Sequence, residues 1–342
     1  MSGAPDRLVV LSPNWLGDAV MALPALADVR RQFANAHLTV AGRGSVAALF
    51  AMVPGVDAVL TLPGKGGAAA FGTWKADAAT LAAGGFDTAL LFPNSFASAL
   101  IARRAGIRER WGLATDMRRR LLTRSAPKPR GKGHHADYYQ ALVAAFGVAN
   151  GPSYARVTPP SLESRLAPSG RYVVLAPGAA YGKAKQWPPR QFAELARLVL
   201  DAGRGVALIG SRGDQSACAE IATLVARRRE AQKSALVDLS GRTTLAELAG
   251  VMAQADAVIS NDSGAMHLAG AVGAPVVAVF GATNEHRTSP LISGPDATPP
   301  AIVATRVWCR PCMLRECPID HRCMTRIPAE QVFEAVRRVA RE

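Results

Sequence analysis

The stretch Asp256–Ala282, DAVISNDSGAMHLAGAVGAPVVAVFGA, constrains the fold of this chain more than any other. An apolar run, Ala257–Ile259, ends abruptly in Asn261-Asp262-Ser263-Gly264. A small-residue segment of helical spacing follows, and a second apolar run, Pro275–Phe280, closes the unit. That order reads as strand, turn, helix, strand: a βαβ element. Short polar residues at the first turn suit a helix cap, and the leading N–H groups of that helix face whatever lies above the sheet. A phosphate is the usual occupant of such a place. A capped helix with no ligand is the other reading, and neighbouring features have to decide.

The same alternation runs along the chain. Strand-like runs occur at Arg7–Leu11, Leu38–Ala41, Ala58–Leu62 and Thr88–Phe92, separated by Ala-rich helical segments and Gly/Pro turns. Further runs follow at Tyr172–Ala176, Val206–Ile209, Leu236–Leu239, Ala257–Ile259 and Val276–Phe280. Continuous apolar runs of this kind suit parallel strands buried on both faces. Helical spacing over Ala19–Phe33 predicts one helix, with Pro24 in its first turns. Ile327–Val339 predicts a last amphipathic helix opened by Pro328. Gly151–Gly170, rich in Pro, Ser and Gly, lacks apolar periodicity and separates the two blocks. The expected organisation is an N-terminal Rossmann-like domain over 1–155, a linker over 156–170, a C-terminal Rossmann-like domain over 171–327 and a terminal helix over 328–342. The fold class is α/β, two Rossmann-like domains facing across a cleft, which is where a ligand is expected.

A chain of 342 residues is long for one core, in keeping with two domains. Its composition, 49% hydrophobic and 19% charged, excludes a disordered chain. The sequence lacks an apolar stretch long enough to cross a bilayer, and its start lacks the basic flank of a signal peptide, so a cytoplasmic location is expected. The net charge of +14 points to an anionic partner: nucleic acid, a phosphorylated substrate or an acidic membrane surface. Aromatics make up only 6% and form no ladder with the basic residues, which speaks against nucleic acid.

Three loops follow strands at the edge where open α/β sheets bind ligands. Ser12–Asp18 includes Asn14 and Trp15 and places one carboxylate, Asp18, at a helix start. There it is a dipole partner or a general base. Phe92-Pro93-Asn94-Ser95 occupies the equivalent position after a later strand. Pro177–Pro188, PGAAYGKAKQWP, brings Gly178 and other small residues together with Lys183 and Lys185. It is neither a Walker A loop nor a G-x-G-x-x-G fingerprint, but it suits a pyrophosphate cradle opposite the Asp262 turn. Between Met117 and His135 the sequence turns basic, with Arg118, Arg119, Arg120, Arg124, Lys128, Arg130 and Lys132. This is either a solvated surface loop or a clamp for phosphates on a large acceptor.

Four of the five cysteines, Cys309, Cys312, Cys317 and Cys323, cluster near the end. A structural zinc or iron, reduced thiols and disulfides are all open to such a cluster, with His321 as a substitute ligand. His134 and His135 have no matching ligand set, and Cys218 reads as helix packing.

SPNWLGDAVMALPAL, PGAAYGKAKQWP, NDSGAMHLAGAVGAPVVAVFG and the cysteine cluster together resemble the lipopolysaccharide heptosyltransferases, glycosyltransferase family 9, across nearly the whole chain. The cysteine cluster favours the type II branch over type I. The resemblance implies a GT-B architecture and an inverting, metal-independent transfer of L-glycero-D-manno-heptose from ADP-heptose, with no cofactor required. The acceptor it implies is a heptose of the inner core carried on lipid A, reached at the cytoplasmic face of the inner membrane. It implies that Asp18 is the general base, that Lys185 holds the donor pyrophosphate, and that Asp262, Ser263, Gly264 and His267 form the donor turn. The basic stretch would then face the lipid-linked acceptor, together with Asn14, Trp15 and Asn94. The same fold acting on another glycan or a protein hydroxyl is the alternative, followed by a non-catalytic nucleotide-sugar or nucleic-acid binding module.

Overall fold

Buried apolar runs become two six-stranded sheets, each parallel throughout, in the computed structural model of the protein. The structure describes residues 4–64, 73–129, 131, 133–161, 166–227 and 235–341, the side chain of Ser45 excepted. Arg130 and Lys132 of the basic stretch, and 162–165 of the expected linker, lie outside the described residues. Two compact units divide the chain, Met1–Tyr154 and Ala155–Glu342.

In the first unit, β1 (Arg7–Leu11) leads through α1 (Leu16–Met21) and α2 (Leu23–Gln32) to β2 (His37–Arg43). It continues with α3 (Gly44–Phe50), β3 (Ala58–Leu62), α4 (Trp74–Ala83), β4 (Thr88–Leu91), α5 (Phe96–Arg104), β5 (Glu109–Leu113), β6 (Arg124–Ala126) and α6 (His135–Ala144). The sheet order is β3-β2-β1-β4-β5-β6. The second unit runs β7 (Tyr172–Ala176), α7 (Pro189–Asp201), β8 (Gly205–Leu208), α8 (Gln215–Ala226), β9 (Leu236–Asp238) and α9 (Leu245–Gln254). It ends with β10 (Ala257–Asn261), α10 (Gly264–Ala271), β11 (Val276–Phe280), α11 (Glu285–Thr288), β12 (Ala301–Ala304), α12 (Arg322–Thr325) and α13 (Ala329–Val339). Its order is β12-β11-β10-β7-β8-β9.

Counted within each unit, both sheets have the doubly wound order 3-2-1-4-5-6. The direction of winding reverses between β1 and β4 in one unit and between β7 and β10 in the other. Crossover loops leave in opposite directions at such a point, opening a crevice at the carboxyl ends of the strands. The loops after β1 and β4 emerge at the switch point of the first unit, and those after β7 and β10 at that of the second.

Central strands are dry: β7, β10 and β11 are buried along their whole length. Three strands were not legible as apolar runs. β5 contains Glu109, Arg110 and Gly112, β6 is three residues of the basic stretch, and β12 is a short edge strand. The single helix expected over Ala19–Phe33 is two helices, α1 and α2, meeting at Ala22. Pro24 has no N–H for the helical ladder, so it sits in the first turn of a new helix.

The stretch read as linker is anchored at its start. Ala155 and Val157 are buried and donate their N–H groups to the carbonyls of Ile292 and Ala271 in the second unit. In that unit α13 joins the main core through Val332, Ala335 and Val336. Trp187 ties the Pro177–Pro188 loop to this core: its indole N–H donates to the Ile327 carbonyl at 3.0 Å, and its ring meets Phe192 edge-on at 4.8 Å. No helix among the described residues is long and apolar enough to cross a membrane.

Candidate active site

At the switch point of the second unit, the loop after β7 and the turn after β10 are stitched together by Asn261. Its Nδ2 donates to the Pro177 carbonyl at 2.7 Å, and its Oδ1 accepts the Trp187 N–H at 3.0 Å. Asn261 is fully buried, so both bonds are formed out of water and both halves of the amide are satisfied. The stitched loop carries the 3-10 turn Lys183–Lys185. From it Lys185 reaches back, Nζ lying 2.7 Å from Asp262 Oδ2. Thr283 donates its hydroxyl to the same carboxylate oxygen at 2.6 Å. On another side the lysine ammonium stands 4.7 Å from the centroid of the Tyr181 ring, a cation–π distance. Lys183 is exposed and Lys185 largely buried, so the two lysines expected in this loop are not equivalent.

The turn after β10 differs from a conventional cap. Ser263 stands at the N-cap of α10, but its side chain makes no capping bond; its hydroxyl lies 3.1 Å from that of Ser260. The expected capping by short polar residues is therefore corrected: no side chain caps the helix. Ser263, Gly264 and Ala265 are the accessible residues of the turn, while Asp262 and His267 are buried. Gly178 is expected on the donor side, and Gly182 follows it in the same loop. A Cβ on Gly178 would lie 2.5 Å from the Asp214 carboxylate, and one on Gly182 would lie 2.3 Å from the Arg315 carbonyl. Packing within the protein already requires both glycines.

At the switch point of the first unit, Asn14 and Trp15 are exposed in the loop after β1, and Asp18 lies in the first turn of α1 with about a third of its side chain accessible. His135, at the start of α6, points Nδ1 toward Asp18 Oδ1 at 3.7 Å, an ion pair when the imidazole is protonated. α6 is held in place by a capping box, with the His134 side chain accepting from Ala136 N–H and Asp137 accepting from His134 N–H. Behind Asp18, burial pushes the Tyr139 phenol far above its ordinary range, and the Asp18 carboxylate adds to the shift. Tyr138 is also raised by burial, opposed by its bond from Asn94 Nδ2 at 2.5 Å. Thus Asn94 faces α6.

Arg118 overturns one expectation. It was read with the acceptor-facing basic residues, but it is fully buried. Its guanidinium donates to the carbonyls of Leu113 and Pro93 and to the Ser98 hydroxyl, at 2.8, 2.5 and 2.9 Å. Burial draws its pKa down to about 10. A fork of donors that ties the ends of β4 and β5 to a hydroxyl of α5 is a structural role for arginine. Arg124 is likewise engaged, stacked 4.5 Å over the Trp111 ring and donating to the Phe146 carbonyl. Arg119, Arg120 and Lys128 are exposed. Asp116 and Met117, just before Arg118, both take left-handed backbone with φ near 50°. Neither is glycine, so this turn is strained by roughly 1–2 kcal/mol per residue and depends on the Arg118 anchor.

Cys309, Cys312, Cys317 and Cys323 line one small cavity of about 20 Å³ with His321. All are free thiols. No three His, Cys, Asp or Glu side chains among the described residues are arranged to hold a metal ion, so a structural zinc or iron at this cluster has no support in the geometry. Cys218 is buried in α8, as its helical position suggested.

Sequence reasoning missed His135, Tyr138, Tyr181 and Thr283. For Thr283 a signal existed, a hydroxyl just past the apolar run Val276–Phe280, where the carboxyl end of a strand lies. For His135 none did, since it stands 117 positions from Asp18.

A family model described as glycosyltransferase family 9 (heptosyltransferase) matches residues 75–322. Lipopolysaccharide heptosyltransferase 2 of Escherichia coli K12 is 31% identical over 320 residues, covering 88% of this chain and 87% of that protein. Lipooligosaccharide heptosyltransferase 2 of Haemophilus influenzae is 30% identical over 301 residues, covering 83% and 86%. Among solved structures, that of E. coli ADP-heptose lps heptosyltransferase II superposes with a TM-score of 0.80 at 24% identity, covering 97% of this chain and 98% of that one.

Proposed function

This chain belongs to glycosyltransferase family 9, and on that premise we propose that it transfers a heptose from ADP-heptose to a heptose of the lipopolysaccharide inner core. The names of its relatives supply donor and acceptor. The observation that carries the reading to this chain's own residues is the pair Lys185–Asp262 beside an uncapped helix start.

The donor chemistry follows from that pair. Cleaving the anomeric C–O bond leaves two negative phosphates on the departing ADP. An ammonium and the N–H groups at the start of α10 stabilise that charge as it develops. Asp262 is buried and bonded to Lys185 and Thr283, so it orients the lysine and does not itself grip the donor. Ser263 and Gly264 offer the accessible edge of the turn.

On the acceptor side, Asp18 takes the proton of the attacking hydroxyl as that oxygen bonds to the anomeric carbon. Attack opposite the leaving group inverts the centre, and the proton ends on the carboxylate. His135 faces Asp18 with Nδ1 3.7 Å from Oδ1, where it orients the carboxylate. Asn14, Trp15, Arg119, Arg120 and Lys128 are the exposed groups of this unit assigned to the acceptor and its phosphates. No step calls for a metal, and the enzyme works at the cytoplasmic face of the inner membrane.

Incubation with ADP-heptose and heptosyl-Kdo2-lipid A tests the reading. ADP release with addition of one heptose, undiminished by EDTA, is expected. Donor binding without transfer to that acceptor, but with transfer to another glycan or to a protein hydroxyl, would replace the acceptor assignment.

A further inference from the structure

Among the described residues, nine large hydrophobic side chains are more than a third exposed, and five of them, Ile302, Trp308, Met313, Leu314 and Ile319, fall within 18 residues of sequence. A sixth, Tyr181, donates its hydroxyl to the Met313 carbonyl. The connection from β12 to α12 is built with its polarity reversed. Its thiols line the inner cavity, and Arg310 points inward, donating to the Gly281 and Thr283 carbonyls and pairing with Glu285 at 2.7 Å. Most of its apolar side chains are exposed, Trp308 at 77%, while Val307 packs on the core and Ile319 also borders the cavity. Exposed large apolar side chains concentrated in one short segment mark a candidate interaction site.

Backbone bonds hold the segment in that state. Met313 N–H donates to the Ala282 carbonyl at 2.9 Å, Ala184 N–H donates to the Arg315 carbonyl at 3.0 Å, and the His321 ring bonds the Ala184 carbonyl at 3.0 Å. The outward face is therefore preformed, and the same contacts fix it to the lysine-bearing loop.

Charge selects the occupant. Apart from the inward Arg310, Thr305–Arg326 carries four arginines, Arg306, Arg315, Arg322 and Arg326, against Glu316 and Asp320, in a chain of net charge +14. A second copy would bring the same positive field against it, whereas an anionic bilayer is complementary in both charge and apolarity. Tryptophan with aliphatic side chains and arginine is the composition of segments that lie in the headgroup layer.

We propose that the segment from Arg306 to Ile319 is a membrane-docking loop, inserting Trp308, Met313, Leu314 and Ile319 into the interface of an anionic bilayer. It deepens the reading of a lipid-linked acceptor, on which it rests only for its biological setting.

Sedimentation with phosphatidylglycerol/phosphatidylethanolamine vesicles tests it. The intact chain binds these vesicles and barely binds phosphatidylcholine. The variant Trp308→Ser/Leu314→Ser/Ile319→Ser loses at least about tenfold in partition, and Arg306→Gln loses about fivefold. Should the triple variant fold poorly, Trp308→Phe serves: quenching of tryptophan fluorescence by brominated lipid falls sharply in that variant while sedimentation persists. Turnover of ADP-heptose with a deacylated acceptor, measured alongside, stays unchanged in the variants; failure of that reaction in the intact chain would count against the proposed transfer alone. Undiminished vesicle binding by the triple variant overturns the docking proposal. So does loss of binding in Arg119→Ser/Arg120→Ser alone, or an oligomer that the triple variant dissolves.

Discussion

Asp262 holds Lys185 in place: the carboxylate oxygen 2.7 Å from the lysine Nζ is the same one that accepts the Thr283 hydroxyl at 2.6 Å. Two donors on one buried oxygen leave the lysine little choice of rotamer. A long side chain that would otherwise lose rotamer freedom on meeting a phosphate is ordered in advance.

Lys185→Ala is expected to lower kcat/KM about 100-fold or more, as loss of one preorganised charge in a water-poor site does. Lys183→Ala should change it less than about threefold, since an exposed charge contributes little. Thr283→Val should raise the donor KM about fivefold, the value of one hydrogen bond, and Thr283→Ser should restore it. Initial-rate kinetics with varied ADP-heptose separate these outcomes. Equal effects at both lysines would remove the distinction drawn from burial.

Asp18→Ala should reduce turnover about 1000-fold while donor affinity, measured by calorimetry with ADP, stays within about twofold. His135→Ala should cost about tenfold in kcat with the same donor affinity, because it positions the base and does not touch the nucleotide. Turnover unchanged in Asp18→Ala would exclude the carboxylate as base.

Arg118→Met should destabilise the first unit by about 3 kcal/mol, leaving the Leu113 and Pro93 carbonyls and the Ser98 hydroxyl without their donor. The sign of its pH dependence is fixed by burial, which lowers the folded-state value from 12.5 to about 10. Below about 10 both states carry the charge and the desolvation cost is fully present; above it the folded chain sheds the proton before the unfolded one, and the cost is relieved. Urea denaturation from about pH 9 to about pH 11 should show the gap between intact chain and variant widening with pH. A variant as stable as the intact chain would return Arg118 to the surface group.

Burial pushes the Cys218 thiol up to about 12 and raises that of Cys323 as well. Iodoacetamide at about pH 8 should therefore spare both in the folded protein and modify the partly exposed Cys309, Cys312 and Cys317. In denaturant all five should react. Peptide mass spectrometry reads the pattern. Early labelling of Cys323 would mean that the cavity opens readily.

Much of this architecture is legible because a parallel strand dry on both faces must be an unbroken apolar run. β1, β7 and β11 could be bounded to the residue from that rule alone. β5 could not, because its charges are placed by neighbours: the Arg110 guanidinium reaches the Leu121 and Ile107 carbonyls. The split between α1 and α2 was half legible. Pro24 required an early turn, but only packing decided that the helix before it would end at Met21 and a new one begin.

The sequence by itself determined where chemistry could occur. Polar residues that end apolar runs fall at the carboxyl ends of parallel strands, so Asp18, Lys185 and Asp262 could be named from local pattern. What each side chain does there was decided by tertiary structure, because partners such as Asp18 and His135, or Lys185 and Asp262, are far apart in sequence and adjacent only through the winding of the sheets. Arg118 shows the physical reason most plainly. In sequence it is one arginine among three, but once buried its Nε and Nη1 need acceptors, and only the folded chain reveals which carbonyls supply them.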